Sequence, residues 1–138
     1  MPKRKILLID DEIDFVKIIG ERIRQWGYDV IESSNCKEAI GVLRRSQPDL
    51  LILDYKMPDK DGISVLSEIR KINTKIPVIM FTAYPNERSI KESEKLGISA
   101  YVPKLSAYSD SQDNLKSAIL MAERGIKKPA PKRRTGGA

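Results

Sequence analysis

Polar side chains in this 138-residue chain stand repeatedly where apolar runs stop. Asp10 and Asp11, followed by Glu12, close the run Ile6-Leu7-Leu8-Ile9. Asp54 closes Leu50-Leu51-Ile52-Leu53. Thr82 ends Pro77-Val78-Ile79-Met80-Phe81, and Lys104 follows Ala100-Tyr101-Val102-Pro103. Close carboxylates repel one another, and a hard divalent cation such as Mg²⁺, which takes oxygen ligands and keeps several waters, offsets that repulsion. A hydroxyl and an ammonium complete a set suited to holding a phosphoryl group. In that chemistry Asp54 is the nucleophile, Thr82 donates a hydrogen bond, and Lys104 neutralises charge.

Each of these residues has a plainer reading on its own. An Asp at a strand end commonly forms a turn or caps a helix. Asp11 and Glu12 suit a helix N-terminus, whose dipole favours negative charge. Thr82 could cap, and Lys104 could be a solvated charge. Coincidence outweighs these readings, because the polar groups fall at the ends of four different strands. Asp59 and Asp61 are left as turn residues in Met57-Pro58-Asp59-Lys60-Asp61-Gly62.

The elements that must position these groups alternate along the chain. Strands are expected near 5–10, 28–32, 50–53, 77–82 and 100–103. Helices are expected at 13–26, 35–46, 62–72, 86–96 and 111–124. Phe15, Ile19, Ile23 and Trp26 share one face of the first helix at helical spacing. Asn35 with Glu38 three residues later has the form of a helix start. Cys36, Ala39, Ile40 and Leu43 make the buried stripe of the second helix, and Val65, Leu66, Ile69 and Ile72 that of the third. The fourth helix is weak, with only Ile90 and Leu96 large and apolar and Ser93 on its inner stripe. Leu115, Ala118, Ile119 and Ala122 are the inward residues of the fifth. Strands alternating with helices predict an α/β fold, a five-stranded parallel sheet covered on both faces. The common strand order for such a sheet is 2-1-3-4-5, with ligands at the carboxyl ends of the strands.

Composition narrows the function further. A 41% hydrophobic and 32% charged chain is ordinary for a globular domain. No apolar run nears the roughly 18 residues of a membrane span, and the chain is expected to be cytoplasmic. One cysteine, Cys36, makes no internal disulfide, and without histidine there is no His-based metal site or general base. The net charge is +6, and five of those positive charges lie after Arg124 with no acid among them. The expected division is therefore a domain at 1–124 and a basic tail or linker at 125–138.

Taken together, Ile9-Asp10-Asp11-Glu12, Leu53-Asp54 with Met57-Pro58 and Gly62, Phe81-Thr82-Ala83, and Tyr101 with Lys104 resemble the receiver domain of two-component response regulators. The resemblance covers about Lys5 to Arg124. It implies a phosphorylation-activated switch in which Asp54 accepts a phosphoryl group from a sensor histidine kinase or phosphotransfer protein. It implies direct Mg²⁺ ligation by Asp11, Asp54 and the carbonyl of Lys56, with Asp10 acting through water. Thr82 and Lys104 would bind phosphoryl oxygens, and Tyr101 would be the aromatic switch beside Thr82. The expected partners are the kinase, a downstream effector or output domain, and a second copy in a phosphorylation-dependent homodimer. Neither nucleic acid nor membrane is expected to bind this domain. One departure is plain: the family usually carries Pro after the lysine in a cis bond, and here Leu105 follows. A cis bond there would cost about 2.5–4 kcal/mol, so the loop from Lys104 to Asp110 is expected to be trans or rearranged.

Rival functions fit less well. An aspartate-nucleophile phosphatase wants a second carboxylate two residues after the first, where Lys56 stands. Turnover of outside substrates is therefore not expected, only catalysis of the chain's own phosphorylation and dephosphorylation. A dinucleotide-binding enzyme wants glycines after the first strand, where this chain has acids. The remaining alternative is a phosphorylation-independent protein-binding module of the same fold.

Overall fold

The computed structural model describes residues 3–54, 62–83, 87–104 and 108–126. In chain order the elements are β1 (Lys5–Ile9), α1 (Ile13–Gln25), β2 (Asp29–Ser33), α2 (Cys36–Ser46), β3 (Leu50–Leu53), α3 (Gly62–Ile72), β4 (Val78–Thr82), α4 (Glu87–Lys95), β5 (Ala100–Pro103) and α5 (Tyr108–Arg124). The strands form one parallel sheet in the order β2-β1-β3-β4-β5, as the alternation of elements predicts.

The sheet divides the core in two. Ile6, Leu8, Ile52, Ile79 and Phe81 face one side with Ile19 and Ile23 of α1 and Leu115 and Ile119 of α5. Leu7, Ile9, Leu53 and Met80 face the other with Leu43 of α2 and Val65, Leu66 and Ile69 of α3. Side chains alternate across a strand, so neighbours in sequence serve opposite cores. This is why the central runs are apolar throughout rather than alternating.

Element ends follow local chemistry. The side chain of Asn35 accepts a hydrogen bond from the Glu38 amide and caps α2, as the sequence pattern predicts. Pro77 lies outside β4, yet its carbonyl accepts from the amide of Leu51. Pro103 is tolerated in β5 because β5 is an edge strand, where a missing donor is harmless. Gly27 follows α1 with φ of 104°, a left-handed conformation that suits glycine.

Two expectations need correction. Ile72 was expected to point inward, but it is 38% exposed in the last turn of α3. The inward stripe of α3 ends at Ile69, because the chain turns away toward β4 at Asn73. Helix α5 begins at Tyr108 rather than at 111, so part of the expected loop after Lys104 is helical. Leu105 to Ala107, the junction where the isomer question arises, lies outside the described residues, as does 127–138 of the basic tail. No helix among the described residues is long and apolar enough to cross a membrane.

Candidate functional site

Backbone hydrogen bonds deliver the polar residues to one sheet edge. The Asp10 amide donates to the Ser33 carbonyl at 3.1 Å, and the Asp54 amide to the Ile9 carbonyl at 3.0 Å. The Lys104 amide donates to the Thr82 carbonyl at 2.7 Å. Since Ile9 pairs with Leu53, Asp10 and Asp54 emerge side by side from β1 and β3.

Alternation then decides the faces. Continuing the pleat beyond Leu8, Ile52 and Val102 puts Asp10, Asp54 and Lys104 on the α1/α5 side of the sheet. Thr82 continues from Met80 and falls on the other side, the side of Tyr101.

Asp10 and Asp54 are 1% and 4% exposed. The ammonium of Lys104 lies between them, 2.6 Å from Asp10 Oδ2 and 3.7 Å from Asp54 Oδ2. It also reaches Glu12 Oε1 at 3.4 Å. Asp10 Oδ1 accepts from the Glu12 amide at 3.0 Å, which fixes the entry into α1. Glu12 holds the N-cap position of α1 without a side-chain capping bond, so its carboxylate faces the site.

Burial shifts the proton equilibria here. Desolvation pushes the Asp10 carboxyl up to about 6, against the pull of Lys104, and the neighbouring Asp54 adds to the rise. Burial alone would lower Lys104, but the combined attraction of Asp10, Asp54 and Glu12 outweighs it and raises the ammonium above its usual value. The lysine is thus a fixed positive charge at neutral pH.

Oxygens of Asp10, Glu12 and Asp54 come within 4.8 Å of one another. An all-oxygen, net negative donor set of this kind fits a hard divalent cation. The sequence names Asp10, Asp11 and Asp54 as the acidic set. Asp11 is half-buried beside the site, and the third carboxylate of the converging group is Glu12. Lys56, expected to contribute a backbone carbonyl, lies outside the described residues.

Thr82 is fully buried at the end of β4, with Tyr101 half-buried on the adjacent β5. The Tyr101 hydroxyl lies 2.7 Å from the hydroxyl of Ser89 on α4. Ser89 itself is buried and its carbonyl accepts from the Ser93 hydroxyl. Sequence reasoning noticed Ser93 and missed Ser89. The signal available was a second serine four residues earlier on the same helical face.

Comparison with known proteins matches this arrangement. The sequence profile described as "Response regulator receiver domain" matches residues 6–119. The chain is 32% identical over 119 residues to the sporulation initiation phosphotransferase F of Bacillus subtilis, covering 86% of this chain and 96% of that protein. It is 34% identical over 119 residues to the probable transcriptional regulator ycf27 of Porphyridium aerugineum, covering 86% of this chain but 49% of that one. The chain thus spans about half the length of that regulator and nearly all of the phosphotransferase. Among solved structures, the response regulator TrrA of Thermotoga maritima in complex with Mg(2+)-BeF superposes with a TM-score of 0.71 at 30% identity, covering 83% of this chain and 98% of that one. A CheY-like receiver domain protein of Methanospirillum hungatei gives a TM-score of 0.78 at 23% identity, covering 89% and 98%, and supports the fold alone. With the profile, the strand order and the acidic edge in agreement, the chain belongs to the response regulator receiver domain family of two-component signalling.

Proposed function

We propose that the chain is a phosphorylation-activated switch, taking a phosphoryl group on Asp54 from a sensor histidine kinase or phosphotransfer protein. The observation that carries this reading is the placement of Asp54. It is buried at the carboxyl end of β3, beside Asp10, with the Lys104 ammonium 3.7 Å away. A carboxylate oxygen of Asp54 attacks phosphorus, and the bond to the leaving group breaks with its electron pair going to that group. The leaving group is imidazole from a phosphohistidine, or acetate from acetyl phosphate. Lys104 neutralises a phosphoryl oxygen, and the Thr82 hydroxyl donates to another.

Mg²⁺ is the proposed cofactor, held by Asp10, Asp11 and Asp54 with the Lys56 carbonyl, and Glu12 is near enough to take part. When bound, the ion supplies neutralisation of charge on the transferred group. The Thermotoga relative, solved with Mg(2+)-BeF, supports this assignment.

The output surface in this reading is α4, β5 and α5. Few large apolar side chains hold α4, so its position is cheap to change. Pulling the Thr82 hydroxyl toward a phosphoryl group opens space on the Tyr101 side, and Tyr101 in turn contacts Ser89 of α4. A downstream effector, an output domain or a second copy of the chain would read that surface. In this reading the receiver ends with α5 at Arg124, and the basic segment from 125 is a linker or tail.

Intact mass tests the proposal. With acetyl phosphate and Mg²⁺ the chain should gain one phosphoryl unit, and Asp54→Asn should gain none. A full gain in that variant removes Asp54 from its role, and no gain in the parent leaves the phosphorylation-independent binding module as the better reading.

A further inference from the structure

The Lys104 ammonium has a partner that no acid provides. Its Nζ sits 4.1 Å from the centre of the Phe15 ring, and 5.9 Å from that of Phe81. The two rings pack together, with centroids 5.8 Å apart and planes tilted by 40°. Phe81 is fully buried in β4, and Phe15 packs half-buried against the same core from the first turn of α1.

We propose that Phe15 is a positioning residue for Lys104, and through it for phosphoryl transfer to Asp54. This rests on the function proposed above. A lysine stem has four rotatable bonds, and its head is a compact charge without directional preference. Three carboxylates attract the ammonium, at 2.6, 3.4 and 3.7 Å. Carboxylates alone would let it slide among them as each changes its charge or its partners. An aromatic face attracts a cation through its quadrupole and carries no titratable charge. The Phe15 ring therefore holds the ammonium whatever the acids are doing. Phe81 packs beside the ring, and α1 fixes it at its base.

The position of Lys104 makes such a holder necessary. It follows the last residue of an edge strand, where its amide donates to the Thr82 carbonyl on the neighbouring β4. The side chain is nevertheless 8% exposed, so the ring and the acids replace most of its water.

The test reads the lysine directly. In the metal-free chain, the ε-methylene protons of Lys104 should resonate upfield of those of the other lysines, because they lie over a ring face. Phe15→Leu should abolish that displacement, and Phe15→Tyr should keep it. Phosphorylation by acetyl phosphate should slow roughly tenfold in Phe15→Leu, as expected for losing a desolvated cation–ring contact, and stay near the parental rate in Phe15→Tyr. Upfield Lys104 signals in the parent that vanish with Phe15→Leu support the inference even if that variant is less stable. An undisplaced Lys104 signal in the parent overturns it, as does a folded Phe15→Leu chain phosphorylated at the parental rate. If the parent itself gains no phosphate, the function assigned to Asp54 has failed, and the ring-displaced lysine signal still decides whether Phe15 holds Lys104.

Discussion

The hydroxyls of Tyr101 and Ser89 lie 2.7 Å apart, joining the middle of β5 to the first turn of α4. At the other end of α4, Arg70 of α3 donates from Nε to the Leu96 carbonyl at 2.7 Å and from Nη2 to the Gly97 carbonyl at 3.0 Å. The guanidinium holds the carboxyl end of α4, and the Ser89 hydroxyl ties its first turn to Tyr101.

Ser89→Ala should loosen the first turn of α4. A neutral hydrogen bond contributes about 0.5–1.5 kcal/mol, so the balance between Tyr101 positions should move by roughly two- to tenfold. Ring signals of Tyr101 followed by NMR in the unphosphorylated chain report this. An unchanged Tyr101 environment would show that the hydroxyl contact does not govern the ring.

Arg70→Lys should destabilise nearly as much as Arg70→Ala. The guanidinium also donates to the Ile76 carbonyl at 2.8 Å, and one ammonium cannot serve three carbonyls set around a planar fork. A loss of about 2 kcal/mol is expected for either change in denaturant unfolding. Parental stability in Arg70→Lys would mean that charge alone, not the fork, holds the end of α4.

Removing Lys104 should leave buried acids without their cation. Lys104→Ala should therefore lose about 3–5 kcal/mol without metal, the range for breaking a buried ion pair. Millimolar Mg²⁺ should restore part of it, since a ligand that binds only the folded chain stabilises it. Thermal unfolding with and without Mg²⁺ measures both terms. A Lys104→Ala chain whose unfolding temperature does not rise with Mg²⁺ would argue against cation binding at these acids.

Alkaline pH should act through Tyr28. Its phenol, buried and 2.8 Å from Glu123 Oε1, is raised well above its usual value by burial, then by that bond and the carboxylate's charge, with Arg4 opposing. A raised folded-state value means a contribution complete below about pH 10 and lost as pH climbs beyond it. Tyr28→Phe should flatten the fall in stability above pH 10, at a cost of about 1–2 kcal/mol at neutral pH. An alkaline profile identical in the two chains would place the sensitivity elsewhere.

The sequence exposes some of this architecture more clearly than the rest. β3 begins and ends where its apolar run does, because a fully buried parallel strand needs apolar side chains on both faces. Asp10, Asp54, Thr82 and Lys104 were visible for the same reason, as polar residues that interrupt such runs. Ile72 misled because helical spacing alone says nothing of where the neighbouring layer stops. Ser89 escaped notice, and Phe15 was read only as a core residue, because their significance depends on Tyr101 and Lys104, residues 12 and 89 positions away by subtraction of their numbers. Glu12 was ambiguous between helix entry and site until the first turn of α1 was placed.

Asp54 is the proposed carrier of the phosphoryl group. Reduction of the acetyl phosphate-treated chain with borohydride converts an aspartyl phosphate to homoserine, and peptide mass spectrometry locates it. Homoserine at position 54 alone is the expected result. Homoserine at Asp10, Asp11 or another carboxylate, or phosphate on a hydroxyl that survives borohydride, would contradict it.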